Sequence, residues 1–528
     1  MSAIIINSHD PGFPEKASES DAHIAPPVLV PTTSGLLQGV QDNGLKIFKG
    51  IRFGHPASGE LRWEPPVPFT STTLQNATQL GPACVQQFPF GPPSGALAEF
   101  LFNNPADPPR ESEDCLFLNV WAPVSARKQS VLVWIYGGSL AFGTGSLPLY
   151  DGVSLALNQD IVVVTFNYRT NVFGFPRSPE LPLSGNNLGF LDQELALKWV
   201  QDNIAQFGGD PRQVTIMGQS AGAESVGTAL TRHTPADAPF RAGILLSGAQ
   251  PSTSPVPSFD AFNLFAAAMG CSQDPGPARL SCLRQVPAST IRNFTNSQFS
   301  LTYGPLVDNT TFFADPLLRI RTGLTARVPF IIGSMQDDGS FFALGQPDLA
   351  DWLNETFAGV ALPPAFVRSL YTPGLNDSQV ISEIYKDFLF QCPAQLWGSA
   401  AVSAGIPNVY RYVYGAVFAD LQSFPGAGAW HSSELFGIFG NYNTSTATAP
   451  EVELFKTMQT TIGNYIKNPT VSPALNWPTY VPGNSTATVA MIAFSDNVRP
   501  NDFIQLQTAD SIDGPCNALW DAFLDVRV

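Results

Sequence analysis

Hydrophobic and polar positions change their rhythm along the chain, and these changes mark the predicted elements. Residues 1–27 are polar and show no periodicity, which predicts a flexible N-terminal tail. Over residues 28–54, apolar and polar positions alternate in short runs, with turn sequences at Ser34-Gly35 and Asn43-Gly44. This alternation predicts antiparallel strands joined as an N-terminal hairpin.

From residue 116 onward, continuous apolar runs rich in β-branched and aromatic residues are typical of buried strands. The predicted core strands cover residues 116–123, 131–138, 161–168, 214–218, 242–248, 328–334, 408–415 and 489–494. Helices are predicted at 192–209 and 453–467, with irregular helical segments at 251–300 and a helical insertion at 345–405. Because no repeat and no Pro/Ser-rich linker interrupts the chain, residues 28–528 are predicted to form one α/β domain with helices on both faces of the sheet.

The segment of residues 84–115 differs in composition from the rest of this domain. It is rich in Pro, Gly and Phe, it lacks periodicity, and it is flanked by Cys84 and Cys115. Long aromatic loops near a pocket often act as lids. We therefore predict a lid-like loop, with an ordinary surface loop as the alternative.

Composition and charge limit the classes of function. The chain has 528 residues, of which 44% are hydrophobic and 13% charged, so a large core can form. Its net charge of −16 argues against nucleic acid as a partner, because phosphates would be repelled. No run of 18 apolar residues occurs, so no transmembrane segment is expected. The sequence leaves the oligomeric state open.

Cysteines and glycosylation signals indicate the secretory route. The six cysteines lack CxxC and zinc spacing, so we expect no metal site, and three disulfides with fifteen possible connectivities. Seven N-x-S/T sequons accompany them, at Asn76, Asn293, Asn309, Asn354, Asn376, Asn443 and Asn484. Residues 1–16 have no basic segment and no adequate apolar segment, so we expect no signal peptide within this sequence. We expect a secreted protein, with an intracellular one as the alternative.

The strongest chemical signal lies in residues 214–231, VTIMGQSAGAESVGTALT. Val214–Gly218 is predicted to be a short buried strand, and the residues after Ser220 favour a helix. A serine at the apex of a sharp strand-to-helix turn is the arrangement of a nucleophile elbow. The glycines at 218 and 222 allow the close chain packing that such a turn requires. A structural tight turn is the alternative.

A serine nucleophile needs a base, usually a histidine oriented by a carboxylate, and in this context the chain order is serine, acid, histidine. His9 and His23 lie in the predicted tail, and His55 precedes the serine. His233 follows Ser220 too closely to leave room for an acid-bearing strand. His431, in a Gly-rich loop before a predicted helix, is the remaining candidate.

The acid and the oxyanion donors are less well determined by spacing. Asp337 and Asp338 follow the strand of residues 328–334, and Asp308 is a third possibility. Spacing alone does not separate Asp337 from Asp338. An oxyanion hole needs backbone N–H donors opposite the serine, and the glycine loop of residues 136–140 after a core strand could supply them.

These residues resemble the type-B carboxylesterase/lipase family, the cholinesterase-like group of the α/β-hydrolase fold. The resemblance covers about residues 28–525. It is most specific at Ser112–Val120 (SEDCLFLNV), at Gly208–Pro211 (GGDP) and at the elbow Gly218–Ala223 (GQSAGA). NYRTNVFGFP and NLGFLDQELALKWVQDNI look like secreted fungal carboxylesterases in particular.

The resemblance implies Ser220 as nucleophile, His431 as general base and Asp338 as acid. The implied oxyanion donors are the backbone N–H groups of Gly138, Ser139 and Ala221. The family usually has Glu at the acid position, and Asp338 is one methylene shorter. Gln219 stands where Glu is usual before the nucleophile, which removes a negative charge that a cationic substrate would contact.

The resemblance also implies structural features around this site. Ser247 and Glu434 match a buried polar network behind the triad, and Glu113 with Arg169 matches an ion pair. Cys84–Cys115 and Cys271–Cys282 match family disulfides, and Cys392–Cys516 is left by subtraction.

The predicted function is a serine carboxylic ester hydrolase that acts through an acyl-enzyme on a small-molecule ester of apolar character, without a cofactor. Alternatives are an acyltransferase or lactone-forming enzyme of secondary metabolism, a lipase-like activity on longer acyl chains, and a catalytically dead binding protein. The identity of the ester, including its acyl-chain length and its alcohol, does not follow from the sequence.

Overall fold

A computed structural model describes residues 26–91, 93–104, 107–253, 256–346, 348–494 and 502–525. Residues 1–25 of the predicted N-terminal tail lie outside the described residues. Pro27, the last residue of the predicted tail, begins the first strand. Within the described residues, no helix combines the length and the apolar character needed to cross a bilayer.

The described strands form one sheet of thirteen strands. They are β1 Pro27–Thr32, β2 Gly35–Asp42, β3 Leu45–Arg52, β4 Leu74–Asn76, β5 Phe117–Pro123, β6 Gln129–Ile135, β7 Val162–Phe166, β8 Gly209–Gln219, β9 Ala242–Leu246, β10 Phe330–Met335, β11 Val409–Tyr414, β12 Val489–Ile492 and β13 Ile504–Gln507.

The sheet combines an antiparallel N-terminal part with a parallel centre. Its order is β1-β2-β3-β5-β7-β6-β8-β9-β10-β11-β12-β13, and β4 pairs with β2. All pairs from β7 through β12 in this order are parallel, and so is the side pair β2–β4. The pairs β1–β2, β2–β3, β3–β5, β5–β7 and β12–β13 are antiparallel. The predicted mostly parallel α/β sheet and the N-terminal antiparallel hairpin are confirmed. Parallel strands bring the loops at their carboxyl ends to one edge, where ligands bind in open α/β sheets.

The helices flank this sheet and fill the insertions. They are α1 Ser94–Phe102, α2 Val153–Gln159, α3 Asn171–Gly174, α4 Leu188–Asn203, α5 Ala221–Arg232, α6 Asp260–Ala268, α7 Pro277–Arg284, α8 Ala288–Ser297, α9 Pro316–Arg321, α10 Leu349–Thr356, α11 Pro364–Ser369, α12 Asp377–Lys386, α13 Cys392–Ser403, α14 Leu435–Phe439, α15 Ala449–Lys467, α16 Ala509–Ile512 and α17 Asp521–Leu524. A π-helical turn, Asp387–Gln391, joins α12 to α13.

Several elements differ from the sequence prediction, and α1, β4 and β13 are among them. The segment 84–115 contains the helix α1, which its Pro- and Gly-rich composition did not reveal, because nine residues show too little periodicity. The strands β4 and β13 are short, and most of their residues are exposed or half-buried, so neither gave an apolar run.

The predicted ion pair between Glu113 and Arg169 is wrong. Glu113 binds the guanidinium of Arg62, with Arg62 Nε 2.6 Å from the carboxylate. Arg169 instead pairs with Asp192 on α4, at 2.7 Å. Each buried charge therefore has a partner, as burial requires, but the partner comes from another element.

Three disulfides join the six cysteines: Cys84–Cys115 and Cys271–Cys282, as the resemblance implied, and Cys392–Cys516, the pair left by subtraction. The first closes the segment 84–115 at its base. The third ties α13, directly after the π-helical turn, to the C-terminal region.

Candidate active site

Ser220 lies at the apex of the turn between β8 and α5, with φ 57° and ψ −126°. A serine rarely adopts this conformation, and neighbouring glycines make the turn possible. A Cβ on Gly218 would lie 2.2 Å from the carbonyl oxygen of Gly222, and one on Gly222 would lie 2.0 Å from that of Ile135. The strain therefore results from chain packing that only glycine permits, and it exposes the serine at the carboxyl edge of the sheet.

The turn is held from two sides. The Ser220 N–H donates to the carbonyl oxygen of Leu246 on β9, at 2.9 Å. On the other side, a Cβ on Gly137 would lie 2.6 Å from the Gln219 carbonyl oxygen and 2.9 Å from Ser220 Cβ, so the glycine loop after β6 packs directly against the serine.

The glycine loop offers free backbone N–H groups in the cleft that Ser220 also lines. Gly138 and Ser139 have φ of 106° and 55°. Among the described residues, the N–H groups of Gly138 and Ser139 have no hydrogen-bond acceptor. Ala221 is the first residue of α5, where the N–H has no partner inside the helix. Three free N–H groups and a helix N-terminus around one serine can stabilise a developing oxyanion.

Asp338 meets His431 behind the serine. His431 Nδ1 lies 2.6 Å from Asp338 Oδ1, and both side chains are buried. The other carboxylate oxygen, Oδ2, accepts hydrogen bonds from Ser247 Oγ and from the Met335 N–H, each at 2.8 Å. Because three donors surround this carboxylate, its orientation toward the imidazole is fixed.

Among the described residues, neither of the other two acid candidates has a hydrogen bond to His431. Asp337 accepts a hydrogen bond from the Ala429 N–H at 2.8 Å, and its backbone forms a parallel bridge with Trp430. Asp337 therefore holds the loop that carries Ala429, Trp430 and His431, here called the histidine loop, beside β10. Asp308 accepts from the backbone of Thr311 and Phe312 and so stabilises its own turn.

His431 Nε2, the nitrogen that must face a nucleophile, lies 3.0 Å from the side-chain amide nitrogen of Gln219. In the described structure, no hydrogen bond joins His431 to Ser220. Two aromatic rings confine the imidazole: Phe390 stacks on it at a centroid distance of 4.6 Å, and Phe342 meets it edge-on at 5.2 Å.

The cleft above these groups is mostly apolar and aromatic. It has a volume of about 490 Å³ including its open mouth, and Ser220, His431, Gly138 and Ser139 all line it. Its apolar walls come from Phe90, Phe102, Phe142, Leu147, Tyr150, Phe341 and Phe342. The segment 84–115 thus reaches the cleft through two of its phenylalanines.

The six predicted site residues therefore converge at the carboxyl edge of the sheet. They comprise a serine hydroxyl, an imidazole held by a carboxylate, and three backbone N–H donors. Together these groups can support acyl transfer through a covalent intermediate. Sequence reasoning missed the Gln219 contact, for which adjacency to Ser220 was an available signal. It also missed Phe390, whose position carries no local signal.

Glu434 departs from the network that the resemblance implied. Ser247 binds Asp338 as expected, but neither carboxylate oxygen of Glu434 has a hydrogen-bond partner among the described residues. Glu434 is 1% exposed and lines an apolar cavity with Tyr412 and Tyr414. Burial, followed by the nearby charge of Asp338, raises the pKa of Glu434 to about 8.

This buried carboxyl makes stability depend on pH. The ordinary pKa of a glutamate is 4.5. As the pH rises above this value, the unfolded chain releases the Glu434 proton, whereas the folded protein retains it. The free energy of unfolding should therefore fall between about pH 4.5 and pH 8, by an amount on the order of 3 to 4 kcal/mol from this group. We expect Glu434→Gln to remove this contribution, so that its thermal unfolding midpoint exceeds that of the wild type at pH 8 but not at pH 5.

The matched control for this prediction is Glu355→Gln, which removes an exposed carboxylate on α10. It should leave the pH dependence of the midpoint unchanged at a fixed scan rate. If the thermal unfolding midpoint changes with pH equally in the wild type and in Glu434→Gln, the prediction is contradicted.

The sequence and the fold of this chain are similar to those of known proteins. The model of the carboxylesterase family matches residues 26–360. The chain is 32% identical to the para-nitrobenzyl esterase of Bacillus subtilis (strain 168), over 86% of this chain and 92% of that protein. It is also 32% identical to secreted lipase 1 of Botryotinia fuckeliana, over 89% and 91% of the two chains. A solved PNB esterase structure superposes with a TM-score of 0.76 at 29% identity, covering 93% of this chain and 99% of that one.

Proposed function

The chain belongs to the carboxylesterase family and is a carboxylic ester hydrolase, and we propose that it acts on esters of apolar character through an acyl-enzyme on Ser220. The observation that carries this proposal is that Ser220 and His431 line one cleft, while Asp338, buried behind it, lies 2.6 Å from His431 Nδ1.

In the first half of the reaction, Ser220 Oγ attacks the ester carbonyl carbon while His431 Nε2 takes the hydroxyl proton. The carbonyl oxygen becomes an oxyanion and accepts hydrogen bonds from the N–H groups of Gly138, Ser139 and Ala221. Asp338 holds the imidazolium through Nδ1–H. His431 then gives its proton to the departing alkoxide, and the alcohol leaves.

In the second half, water takes the place of the alcohol. His431 accepts a proton from the water, and the resulting hydroxide attacks the acyl carbon. The tetrahedral intermediate collapses, the ester bond to Ser220 Oγ breaks, and His431 returns the proton to the serine. The acid product leaves, and the site regains its starting protonation state.

The apolar substrate class is supported by the lining of the cleft. Five phenylalanines face it, and no Lys, Arg, Asp or Glu belongs to the described residues that line it.

We propose that residues 28–528 form one domain, in which the segment 84–115 acts as a lid. Phe90 and Phe102 of this segment lie 6.2 and 6.0 Å from Phe142, between ring centroids.

The wild type should discriminate between neutral and anionic acyl groups of similar length. We expect kcat/KM for p-nitrophenyl butyrate to exceed that for p-nitrophenyl hemisuccinate by at least about 100-fold, because an ionised carboxylate would lose its hydration without gaining a partner. Both esters release the same phenol, so initial rates compare the acyl groups alone. Equal rates for the two esters would contradict the proposal that the substrates are apolar. If the protein hydrolysed neither these esters nor longer-chain esters, its assignment as a carboxylic ester hydrolase would be contradicted.

We also propose that the protein is a secreted glycoprotein. Three disulfides suit an oxidising compartment. Of the seven sequon asparagines, six are exposed and Asn443 is half-buried, so all can be reached from the surface. One relative, from Botryotinia fuckeliana, is named as a secreted lipase.

A further inference from the structure

Ser432 carries a buried hydroxyl, directly follows His431 in the chain and lines the same cleft. It is 1% exposed, and among the described residues its Oγ has no hydrogen-bond partner. Its backbone has φ 87°, in the left-handed region that a serine rarely adopts. A buried polar atom without a partner and a strained backbone both cost free energy, and such costs are concentrated at functional sites.

Two of the other polar side chains that line the cleft already have hydrogen-bond partners. Thr144 Oγ1 donates to the side-chain oxygen of Asn167 at 3.1 Å, and the Gln219 amide nitrogen lies 3.0 Å from His431 Nε2. The walls of the cleft are otherwise mostly aromatic and aliphatic. Ser432 therefore offers a hydrogen-bonding group beside the imidazole, in surroundings that supply few others.

The deacylation step gives such a hydroxyl a specific task. The attacking water has two O–H groups, whereas an alcohol has one. One hydrogen of the water must face His431 Nε2, which accepts it while the water oxygen attacks the acyl carbon. The second hydrogen stays on the same oxygen, and in an apolar cleft it loses its hydrogen bond to solvent unless the protein supplies an acceptor.

Resting on the proposed function, we propose that Ser432 Oγ accepts a hydrogen bond from the second hydrogen of the attacking water, and thereby directs the acyl-enzyme toward hydrolysis and away from transfer to an alcohol. The water oxygen forms the new bond to the acyl carbon, and one water proton moves to His431 Nε2. The bond from the acyl carbon to Ser220 Oγ then breaks, and His431 returns the proton to Ser220 Oγ. The second hydrogen leaves on the carboxylic acid. An alcohol carries an alkyl group in place of this hydrogen, so Ser432 gives it no such hydrogen bond.

The test lets water and methanol compete for the butyryl-enzyme formed from p-nitrophenyl butyrate. Initial rates of formation of butyric acid and methyl butyrate, at one fixed methanol concentration and corrected for the reaction without enzyme, give a product ratio. This ratio is set in deacylation, so it does not depend on the acylation rate or on the fraction of active protein. We expect Ser432→Ala to lower the ratio of acid to methyl ester about tenfold, because the attacking water then keeps an unpaired O–H group.

Ser432→Gly separates the hydroxyl from the strained backbone. Glycine adopts a φ of 87° without strain, so this variant should fold while lacking the hydroxyl. We expect its product ratio to fall as far as that of Ser432→Ala. A fall confined to Ser432→Ala would overturn the proposal, because the cause would then be the backbone and not the hydroxyl.

The matched control is Ser433→Ala at the adjacent position. The Ser433 hydroxyl is also buried and also lacks a hydrogen-bond partner among the described residues, but Ser433 is not among the described residues that line the cleft. Its removal should leave the product ratio within about twofold of the wild type. Tyr150 carries a rival hydroxyl in the cleft. If Tyr150→Phe lowers the ratio and the Ser432 variants do not, the acceptor is Tyr150 and the proposal is overturned.

The proposal is also overturned if both Ser432 variants keep a ratio within about twofold of the wild type, or if Ser433→Ala lowers it equally far. Failure of the proposed function gives a different result, which appears in the wild type itself. Without a common acyl-enzyme, p-nitrophenyl butyrate and phenyl butyrate would give different product ratios. With one, the wild-type ratio is the same for both phenols, and only the variants change it.

Discussion

Ser220→Ala is expected to lower kcat on short p-nitrophenyl esters by at least ~10⁴-fold while KM changes little. The hydroxyl is the group that forms the covalent bond, and its removal leaves His431 without a nucleophile to activate. The residual rate should come from the backbone donors of Gly138, Ser139 and Ala221 and from binding alone. The kcat of Ser220→Ala is compared with the steady-state kcat of the wild type, whose concentration of active sites is determined by titration.

The control for this loss is Ser225→Ala, one turn further along α5. The Ser225 hydroxyl is buried, donates to the Ala221 carbonyl oxygen at 2.9 Å and accepts from Gln193. Its removal should cost less than about tenfold in kcat, because it touches no reacting atom. A fluorophosphonate should label the wild type and Ser225→Ala on the peptide that contains Ser220, and should leave Ser220→Ala unlabelled. Full activity of Ser220→Ala would refute the assignment.

Much of this site follows from sequence because its constraints are local or topological. The elbow is local: Gly218 and Gly222 flank Ser220 because the turn leaves no room for a Cβ at either position. The parallel strands β6, β8, β10 and β11 are recognisable as apolar runs, and their order in the sheet brings the loops at their carboxyl ends to one edge. His431 could therefore be found by elimination, although it lies 211 residues from Ser220 in a chain with five histidines.

Other features could not be predicted because they depend on packing between distant elements. Glu113 pairs with Arg62 rather than with Arg169, and nothing in the local sequence distinguishes the two arginines. Phe390 reaches His431 only because the π-helical turn between α12 and α13 lies over the acid loop. Likewise, the helix α1 is too short to give a periodic signal inside a segment rich in Pro and Gly.

The choice between Asp337 and Asp338 shows where spacing fails and geometry decides. Both follow β10, and adjacent residues after a strand direct their side chains differently. Asp338 turns toward His431, whereas Asp337 binds the Ala429 N–H of the histidine loop. One pair of neighbouring carboxylates thus orients the imidazole and fixes the loop that carries it, and these two tasks can be separated by mutation.

Asp338→Asn is expected to lower kcat by about 10³- to 10⁴-fold through the wrong imidazole tautomer. Asp338 Oδ2 accepts from both Ser247 Oγ and the Met335 N–H, so the amide oxygen of an asparagine should take that place. The amide nitrogen would then face His431 Nδ1 and donate to it. With Nδ1 as an acceptor, the imidazole proton moves to Nε2, which can no longer accept the Ser220 proton.

Asp337→Asn is the matched control at the adjacent position. An asparagine oxygen can still accept from the Ala429 N–H, so the histidine loop should keep its place and kcat should fall by less than about tenfold. Thermal unfolding midpoints of the two variants show that both are folded, and the ratio of their kcat values then measures the specific role of Asp338. A larger loss for Asp337→Asn than for Asp338→Asn would reverse the assignment, because the carboxylate that controls the tautomer would then be Asp337.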